Sequence, residues 1–334
     1  MNVLSLFDGM SCGRIALERI GIKVDNYCAS EIDKYAQIVS EKNYPDIIRL
    51  GDVRQVNIKN IPKTDILLGG SPCQSFSFAG KMNGMSTKEN IDITTLKQYL
   101  KLKKDGFEFD GHSYLFWEYV RLLRKVKPKY FLLENVRMAL KWQKIISEAL
   151  GVEPILINSN LVSAQNRRRL YWTNIPNVKQ PSDKKVFLKQ ILQEKVEEKY
   201  FLSEKQFIYI SNNKRLQKKF TSINGKKALS LMAGYDRLQG THVIDANGRY
   251  DSIEISKSGT LQSRYYKGME NFGTNSFILT SDRENCRKLT PIECERLQTI
   301  PDNYSSSVSD SQRYKMLGNG WTVDVIAHIL KNIK

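Results

Sequence analysis

The chain has no apolar run approaching the ~20 residues that a membrane-spanning helix requires, and a soluble protein is the expectation. A basic leader and an apolar signal-type stretch are also missing, because Val3 to Phe7 already reads as a first strand. The expectation is an intracellular protein of the cytoplasm or nucleoid, without a membrane partner. The five cysteines, at 12, 28, 73, 286 and 294, are odd in number and contain no C-x-x-C pair. That pattern argues against a disulfide framework and against a zinc site, leaving reduced thiols and no bound metal as the expectation. No internal repeat is evident.

Acidic residues are scarce as well. Thirty-five Asp and Glu face 52 Lys and Arg, for a formal charge of +17. Basic surfaces of that size are driven onto phosphate backbones by counterion release, so nucleic acid is the first partner to consider, although a Lys-rich composition alone would give the same sum. What is present otherwise is ordinary. Hydrophobic residues make up 41% and charged residues 26%, and 334 residues leave room for one large domain or two smaller ones with cores of their own.

Strand-like runs at Val3 to Phe7, Tyr27 to Ser30, Ile47 to Leu50, Ile66 to Gly69, Phe131 to Leu133 and Ile155 to Asn158 alternate with helical patterns at Arg14 to Ile20, Lys34 to Glu41, Tyr114 to Val126 and Met138 to Leu150. This rhythm predicts an α/β fold, a doubly wound, mostly parallel, Rossmann-like sheet. The Lys-rich stretch Ser86 to Gly111 interrupts it and reads as a mobile loop, either a solvated surface insertion or a loop that closes over nucleic acid. After Pro176 the alternation stops, and Lys179 to Lys227 carries thirteen basic against five acidic residues. A second, smaller and irregular β-rich lobe is expected there, with short runs such as Ala228 to Met232 and Phe277 to Thr280 between glycines. The chain turns helical again at Pro291 to Leu297, with Thr290 as N-cap.

Chemistry concentrates at the predicted strand ends, where ligands bind in such sheets. The first strand runs through Phe7-Asp8-Gly9 into a helix, a turn type that accommodates nucleotides but also serves as plain structure. Glu31 follows the second strand, at the distance from such a turn that suits ribose hydroxyls, and Asp52 closes the third, as an adenine contact or an ordinary turn residue. Gly70-Ser71-Pro72-Cys73-Gln74 places a cysteine where the fourth strand surfaces. A thiol is mostly protonated at neutral pH, so Cys73 is either a packed residue or one activated by cationic neighbours such as Arg167 and Arg169. Glu134-Asn135-Val136 ends the next apolar run with a carboxylate, which caps a strand, pairs with an arginine or faces a substrate.

Taken in order, Phe7-Asp8-Gly9, Glu31, Asp52, Gly70-Ser-Pro-Cys-Gln74, Glu134-Asn-Val136, Gln165-x-Arg167-x-Arg169, the run Arg287-x-Leu-Thr290-x-x-Glu293-x-x-Arg296-Leu-Gln298-x-x-Pro301 and Gly318-Asn319 ahead of Val323 resemble the C5-cytosine DNA methyltransferases, bacterial and phage type, over nearly the whole chain. Ser5-Leu-Phe-Asp-Gly-Met-Ser-Cys12 and Gly320-Trp321 depart from the usual bacterial pattern and are closer to the animal de novo enzymes. The resemblance implies a catalytic S-adenosylmethionine domain at 1–176, a target-recognition domain at 177–285 and a C-terminal return at 286–334. It also implies transfer of a methyl group from S-adenosylmethionine to C5 of a flipped-out cytosine in duplex DNA, with S-adenosylhomocysteine as product. Cys73 would add to C6, Glu134 would hold N3 and the 4-amino group, and Arg167 and Arg169 would donate to O2 and the nearby backbone. Phe7, Asp8, Gly9, Glu31, Ile32, Asp52, Val53, Pro72, Asn319, Gly320 and Trp321 become the expected cofactor contacts. Gln74, Ser75, Gln165, Arg264, Tyr265 and Tyr266 become the expected DNA contacts. A monomer with a cognate restriction endonuclease completes the expectation. A tRNA cytosine-5 methyltransferase and an inactive DNA-binding regulator are the competing readings, separable by methyl transfer to DNA against tRNA and by cofactor turnover.

Overall fold

The computed structural model describes residues 1–72, 76, 84–201, 220–222, 277–279 and 286–333. The chain divides into two compact units. The first comprises Met1–Ile157, Arg168–Gln180 and Ile326–Lys334, and the second Asn158–Arg167 with Pro181–Val325.

The first unit is built on a seven-stranded sheet. Its strands are β1 (Asn2–Leu6), β2 (Asn26–Ser30), β3 (Ile48–Arg49), β4 (Ile66–Gly69), β5 (Tyr130–Val136), β6 (Ile155–Asn158) and β7 (Arg168–Thr173), in the order β3-β2-β1-β4-β5-β7-β6. The pairs of β1 with β2 and β4, of β2 with β3 and of β4 with β5 are parallel, whereas β7 runs antiparallel to β5. Strand order reverses between β1 and β4, so ligands are expected beyond the carboxyl ends of these two strands. The central strands are apolar without alternation because both faces are covered: all four residues of β4 are buried, as are six of the seven in β5.

The covering helices are α1 (Cys12–Arg19), α2 (Lys34–Asn43), α3 (Leu96–Lys104), α4 (Phe116–Val126) and α5 (Leu140–Leu150). Asp33 caps α2 by accepting from the amides of Tyr35 and Ala36. Helix α5 buries Trp142, Ile146 and Leu150, at successive four-residue steps, and stops at Gly151 in the left-handed region. Gly69 ends β4 beneath the Tyr119 ring of α4, where an added Cβ would lie 2.8 Å from the ring carbons. A side chain here would push α4 off the sheet.

Residues 86–111 are not the surface loop that their lysines suggest. Ser86 bridges Asp92, Thr87 bridges Phe109, and α3 follows with Thr95 accepting from the amide of Gln98. Leu96, Tyr99 and Leu102 fall on one buried face together with Ile93. Phe109 stacks on Tyr114 with ring centroids 4.5 Å apart. At the base of this element the fully buried Glu118 of α4 accepts from Tyr99 Oη at 2.6 Å and Lys103 Nζ at 2.6 Å, and it pairs with Arg121. A carboxylate buried so completely is tolerated because all three partners are donors, two of them cationic.

In the second unit, α6 (Leu188–Ile191), α7 (Pro291–Leu297), α8 (Asp310–Asn319) and the start of α9 (Val323–Leu330) accompany a three-stranded sheet of β8 (Phe220–Ser222), β9 (Phe277–Leu279) and β10 (Cys286–Lys288), in the order β10-β9-β8. Thr290 and Glu293 close a reciprocal capping box at the start of α7, and Arg287 grips the same Glu293 through two hydrogen bonds of 2.7 and 2.8 Å. Among the described residues no helix is long and apolar enough to cross a membrane.

Candidate active site

The turn after β1 is built from backbone that most residues avoid. Phe7, Gly9 and Ser11 all have positive φ, at 57°, 60° and 65°. For Phe7 and Ser11 this conformation carries a cost that surrounding bonds must offset, as is common at ligand sites. Asp8 does part of that work by accepting from Ser11 Oγ at 2.6 Å and from Tyr27 Oη at 2.8 Å. Burial pushes its carboxyl up to about 6, against the opposing pull of those hydroxyl bonds. Glu31, leaving β2, completes the turn: one oxygen accepts from the Gly9 amide at 2.8 Å and the other from the amides of Ile32 and Asp33 at 2.7 and 2.8 Å. Ile32 beside it is 70% exposed, an apolar side chain left uncovered at a strand end.

The next turn, after β3, holds Asp52 and Val53. Arg54 chelates Asp52 through Nε and Nη2 while its amide also donates to the same carboxylate, which holds Asp52 below the usual range. Arg121 donates to the Val53 carbonyl at 3.0 Å, so the Glu118 cluster and the 86–111 element bear on this turn. Neither Arg121 nor Glu118 stood out in the sequence. Their recognisable signal was a Glu and an Arg one turn apart on an apolar helix, indistinguishable from a surface pair until burial is known.

Beyond β4 and β5 the arrangement is tighter. The register sets Glu134 opposite Tyr171 and Val136 opposite Arg169, so Glu134 and Arg169 share a face of the sheet. They meet at 3.0 Å between Arg169 Nε and Glu134 Oε1, with side chains only 15% and 11% exposed. Asn135, on the opposite face, is 1% exposed and donates to Ser71 Oγ at 3.0 Å and Ser71 O at 3.2 Å, while its own oxygen accepts from the Val136 amide. The asparagine therefore fixes Ser71, two residues before Cys73. Cys73, Gln74, Ser75, Arg264, Tyr265 and Tyr266 lie outside the described residues. Gly84, with φ of 63°, packs on the Trp142 indole so closely that a Cβ would fall 1.8 Å from it. Phe76 packs on the same indole at 6.2 Å between centroids.

In the second unit Arg167 and Gln165 are buried and committed to the protein itself. Arg167 donates to the carbonyls of Gly318 and Gly320 at 3.2 and 3.0 Å. Gln165 donates to Leu297 O and to Gln298 Oε1, and Gln298 in turn donates to Leu317 O at 2.6 Å. Thr322 donates back to Gln298. These bonds hold the Gly318-Asn319-Gly320 turn, leaving Asn319 exposed and Trp321 buried.

A strained nucleotide-type turn, an acid paired with an arginine, and an asparagine anchoring the residues before a cysteine form the same ordered set that the sequence motifs describe. The family model of the C-5 cytosine-specific DNA methylases matches residues 1–334. The chain belongs to this family. Its activity class is that of a DNA cytosine methyltransferase. This C-5 cytosine methylase is 31% identical to the type II methyltransferase M.HpaII of Haemophilus parainfluenzae, over 99% of this chain and 88% of that protein. It is 30% identical to the type II methyltransferase M1.ScrFI of Lactococcus lactis subsp. cremoris, over 99% of this chain and 77% of that protein. Among solved structures, the methyltransferase EhMeth of Entamoeba histolytica superimposes with a TM-score of 0.68 at 17% identity, covering 100% of this chain and 99% of that one, a likeness of fold.

Proposed function

We propose that this methylase modifies C5 of a cytosine extruded from duplex DNA, through a transient bond between Cys73 Sγ and C6. The observation that carries this reading is the Glu134–Arg169 pair on the β5–β7 ladder, beside the Asn135 anchor of the turn that leads into Cys73. Cytosine C5 is a weak nucleophile. Addition of a thiolate at C6 breaks aromaticity and loads electron density onto C5, provided the ring can absorb charge elsewhere. Glu134 would donate to or hold N3 and accept from the 4-amino group, while Arg169 donates to O2. The pairing of Arg169 with Glu134 keeps both groups oriented before the base arrives. After methylation the C5 proton is lost and the Cys73 sulfur leaves, restoring the aromatic ring. The base must leave the stack for any of this, at a cost of a few kcal/mol that backbone contacts offset.

S-adenosylmethionine supplies the methyl group as an electrophile. The residues after β1 and β2 fit such a ligand: Glu31 is held by three amides yet keeps acceptor capacity for a ribose hydroxyl, and exposed Ile32 offers apolar surface to an adenine ring. Phe7, Asp8, Gly9, Pro72 and Val53 would complete this lining. Asp52 is saturated by Arg54, so it would reach an adenine amino group only by exchanging that partner. Arg167 acts on the Gly318-Asn319-Gly320 turn and so places Asn319 and Trp321. Residues 177–285, with their basic surplus, are the segment proposed to read sequence, from Arg264, Tyr265 and Tyr266 among others. A cognate endonuclease, in keeping with the type II names of the relatives, and a monomeric state are part of the proposal.

Transfer of labelled methyl groups to duplex DNA and to tRNA tests the reading. Incorporation into DNA at C5, with bisulfite sequencing returning a short recurrent site, supports it. Preference for tRNA would assign the RNA activity instead, and absence of turnover with both would leave a DNA-binding regulator.

A further inference from the structure

We propose that Arg54 competes with the cofactor's adenine amino group for Asp52 and withdraws to Tyr114 when the cofactor binds, an inference that rests on the S-adenosylmethionine reading above. Arg54 Nε stands 3.0 and 2.9 Å from the two oxygens of Asp52, so the guanidinium lies astride the outer edge of the carboxylate. An incoming amino group meets that edge occupied. The exchange is confined to one side chain because the backbone of the turn is held independently. Leu50 N donates to Ala29 O at 2.8 Å, Ser30 Oγ to Gly51 O at 2.7 Å, Arg121 to Val53 O at 3.0 Å and Gln55 N to Asp52 O at 2.9 Å. Asp52 stays oriented without the guanidinium, since the Arg54 amide donates to its Oδ1 at 2.9 Å.

Exposure decides which partner moves. The Asp52 side chain is 19% exposed and that of Arg54 50%. An ion pair so open to water biases an equilibrium by no more than about fivefold, so a hydrogen bond from a ligand can displace it. Arg54 does not then lose every partner, because it lies within hydrogen-bonding reach of the Tyr114 hydroxyl. That hydroxyl is fixed in place: Tyr114 is buried, stacks on Phe109 with centroids 4.5 Å apart and meets Tyr99 at 6.1 Å. Phe109 and Tyr99 belong to the 86–111 element, which thereby acquires a role at the adenine side of the site. Lys103, the other cation that acts on Asp52, is engaged by Glu118 and does not replace Arg54. Arg54 therefore lowers affinity for a ligand that donates to Asp52, and its removal gives no advantage to one that presents an acceptor there.

The test is isothermal titration of wild type, R54Q, Y114F and R54Q/Y114F with S-adenosylhomocysteine and with S-inosylhomocysteine, whose 6-oxo group accepts where the amine donates. R54Q should bind S-adenosylhomocysteine about 2- to 5-fold more tightly than wild type, and S-inosylhomocysteine no more tightly. Y114F should weaken S-adenosylhomocysteine binding about twofold or more in the wild-type background and leave it unchanged in R54Q, a coupling that two independent structural losses would not give. Weaker S-adenosylhomocysteine binding by R54Q, or equal tightening of both ligands, overturns the proposal and leaves the cofactor reading standing. In the R54Q background, where no competitor masks the contact, D52A should weaken S-adenosylhomocysteine. Equal affinity of R54Q and R54Q/D52A overturns the adenine contact and the proposal with it. No binding of S-adenosylhomocysteine by wild type overturns the cofactor reading as a whole.

Discussion

Replacing Asn135 by alanine tests how the site is held before any chemistry begins. The side chain is 1% exposed and makes three bonds: to Ser71 Oγ at 3.0 Å, to Ser71 O at 3.2 Å and from the Val136 amide at 2.8 Å. Ser71 is itself 4% exposed, so water does not replace what is lost. Each neutral hydrogen bond is worth about 1 kcal/mol net and each buried group left unpaired costs about 1–3 kcal/mol, which puts Asn135→Ala at about 2–4 kcal/mol of stability. The functional effect should be larger than stability alone requires, because displacement of about 1 Å at a nucleophile costs on the order of 100-fold in rate. Urea unfolding followed by tryptophan fluorescence, alongside single-turnover methyl transfer, measures both. Asn135→Asp sharpens the test. It preserves shape and the acceptor for Val136, and the Ser71 hydroxyl can turn to donate, but an ionised carboxylate sets an oxygen against the Ser71 carbonyl, which can only accept, so activity should recover partly on acidification as the carboxyl becomes a donor. The reasoning fails if Asn135→Ala lies within about 0.5 kcal/mol of wild type and reacts within about threefold of its rate.

Further predictions concern the cofactor turn and its support. Asp8 is raised to about 6 by burial, above its unfolded value near 4, so its contribution to stability is present below pH 4 and is lost as pH rises through 6. Asp8→Asn removes this dependence, and the stability difference between variant and wild type should change by about 2–3 kcal/mol from pH 4 to 7. A difference independent of pH in denaturant titrations would refute the assignment. Glu118→Gln leaves Lys103 and Arg121 without their buried acid, which should cost about 3–5 kcal/mol. Because Arg121 also holds the Val53 carbonyl, KM for S-adenosylmethionine should rise more than kcat falls, and a loss confined to kcat would contradict that link. Glu134→Gln should lower kcat by on the order of 100-fold or more while leaving cofactor binding near wild type, read by isothermal titration with S-adenosylhomocysteine.

Much of the sheet was legible because its central strands are continuous apolar runs bounded by turn residues, and the strands at Ile66–Gly69 and Ile155–Asn158 match their predicted bounds. The antiparallel insertion of β7 between β5 and β6 was not, since neither periodicity nor propensity encodes which strand is a neighbour. The helix at Leu96–Lys104 was obscured by its lysines. Its Thr95 cap with Gln98 three residues on and the spacing of Leu96, Tyr99 and Leu102 were present, but read as loop chemistry. Within the site, Glu134 and Arg169 were nameable because the acid closes one apolar run and the arginine stands just ahead of another. The division of labour between Arg167 and Arg169 was hidden. One is spent on carbonyls 151 and 153 residues away and the other on an acid across the ladder, and such partners follow from tertiary placement alone.

The most direct measurement replaces the target cytosine in a duplex with 5-fluorocytosine and incubates it with the methylase and S-adenosylmethionine. Fluorine cannot leave C5 as a proton does, so the account predicts a stable protein–DNA species that survives denaturation, with the base and one added methyl group mapped by mass spectrometry to Cys73 and absent from Cys73→Ser. Methylation of ordinary DNA without a trapped species, or a linkage to any other residue, would contradict it.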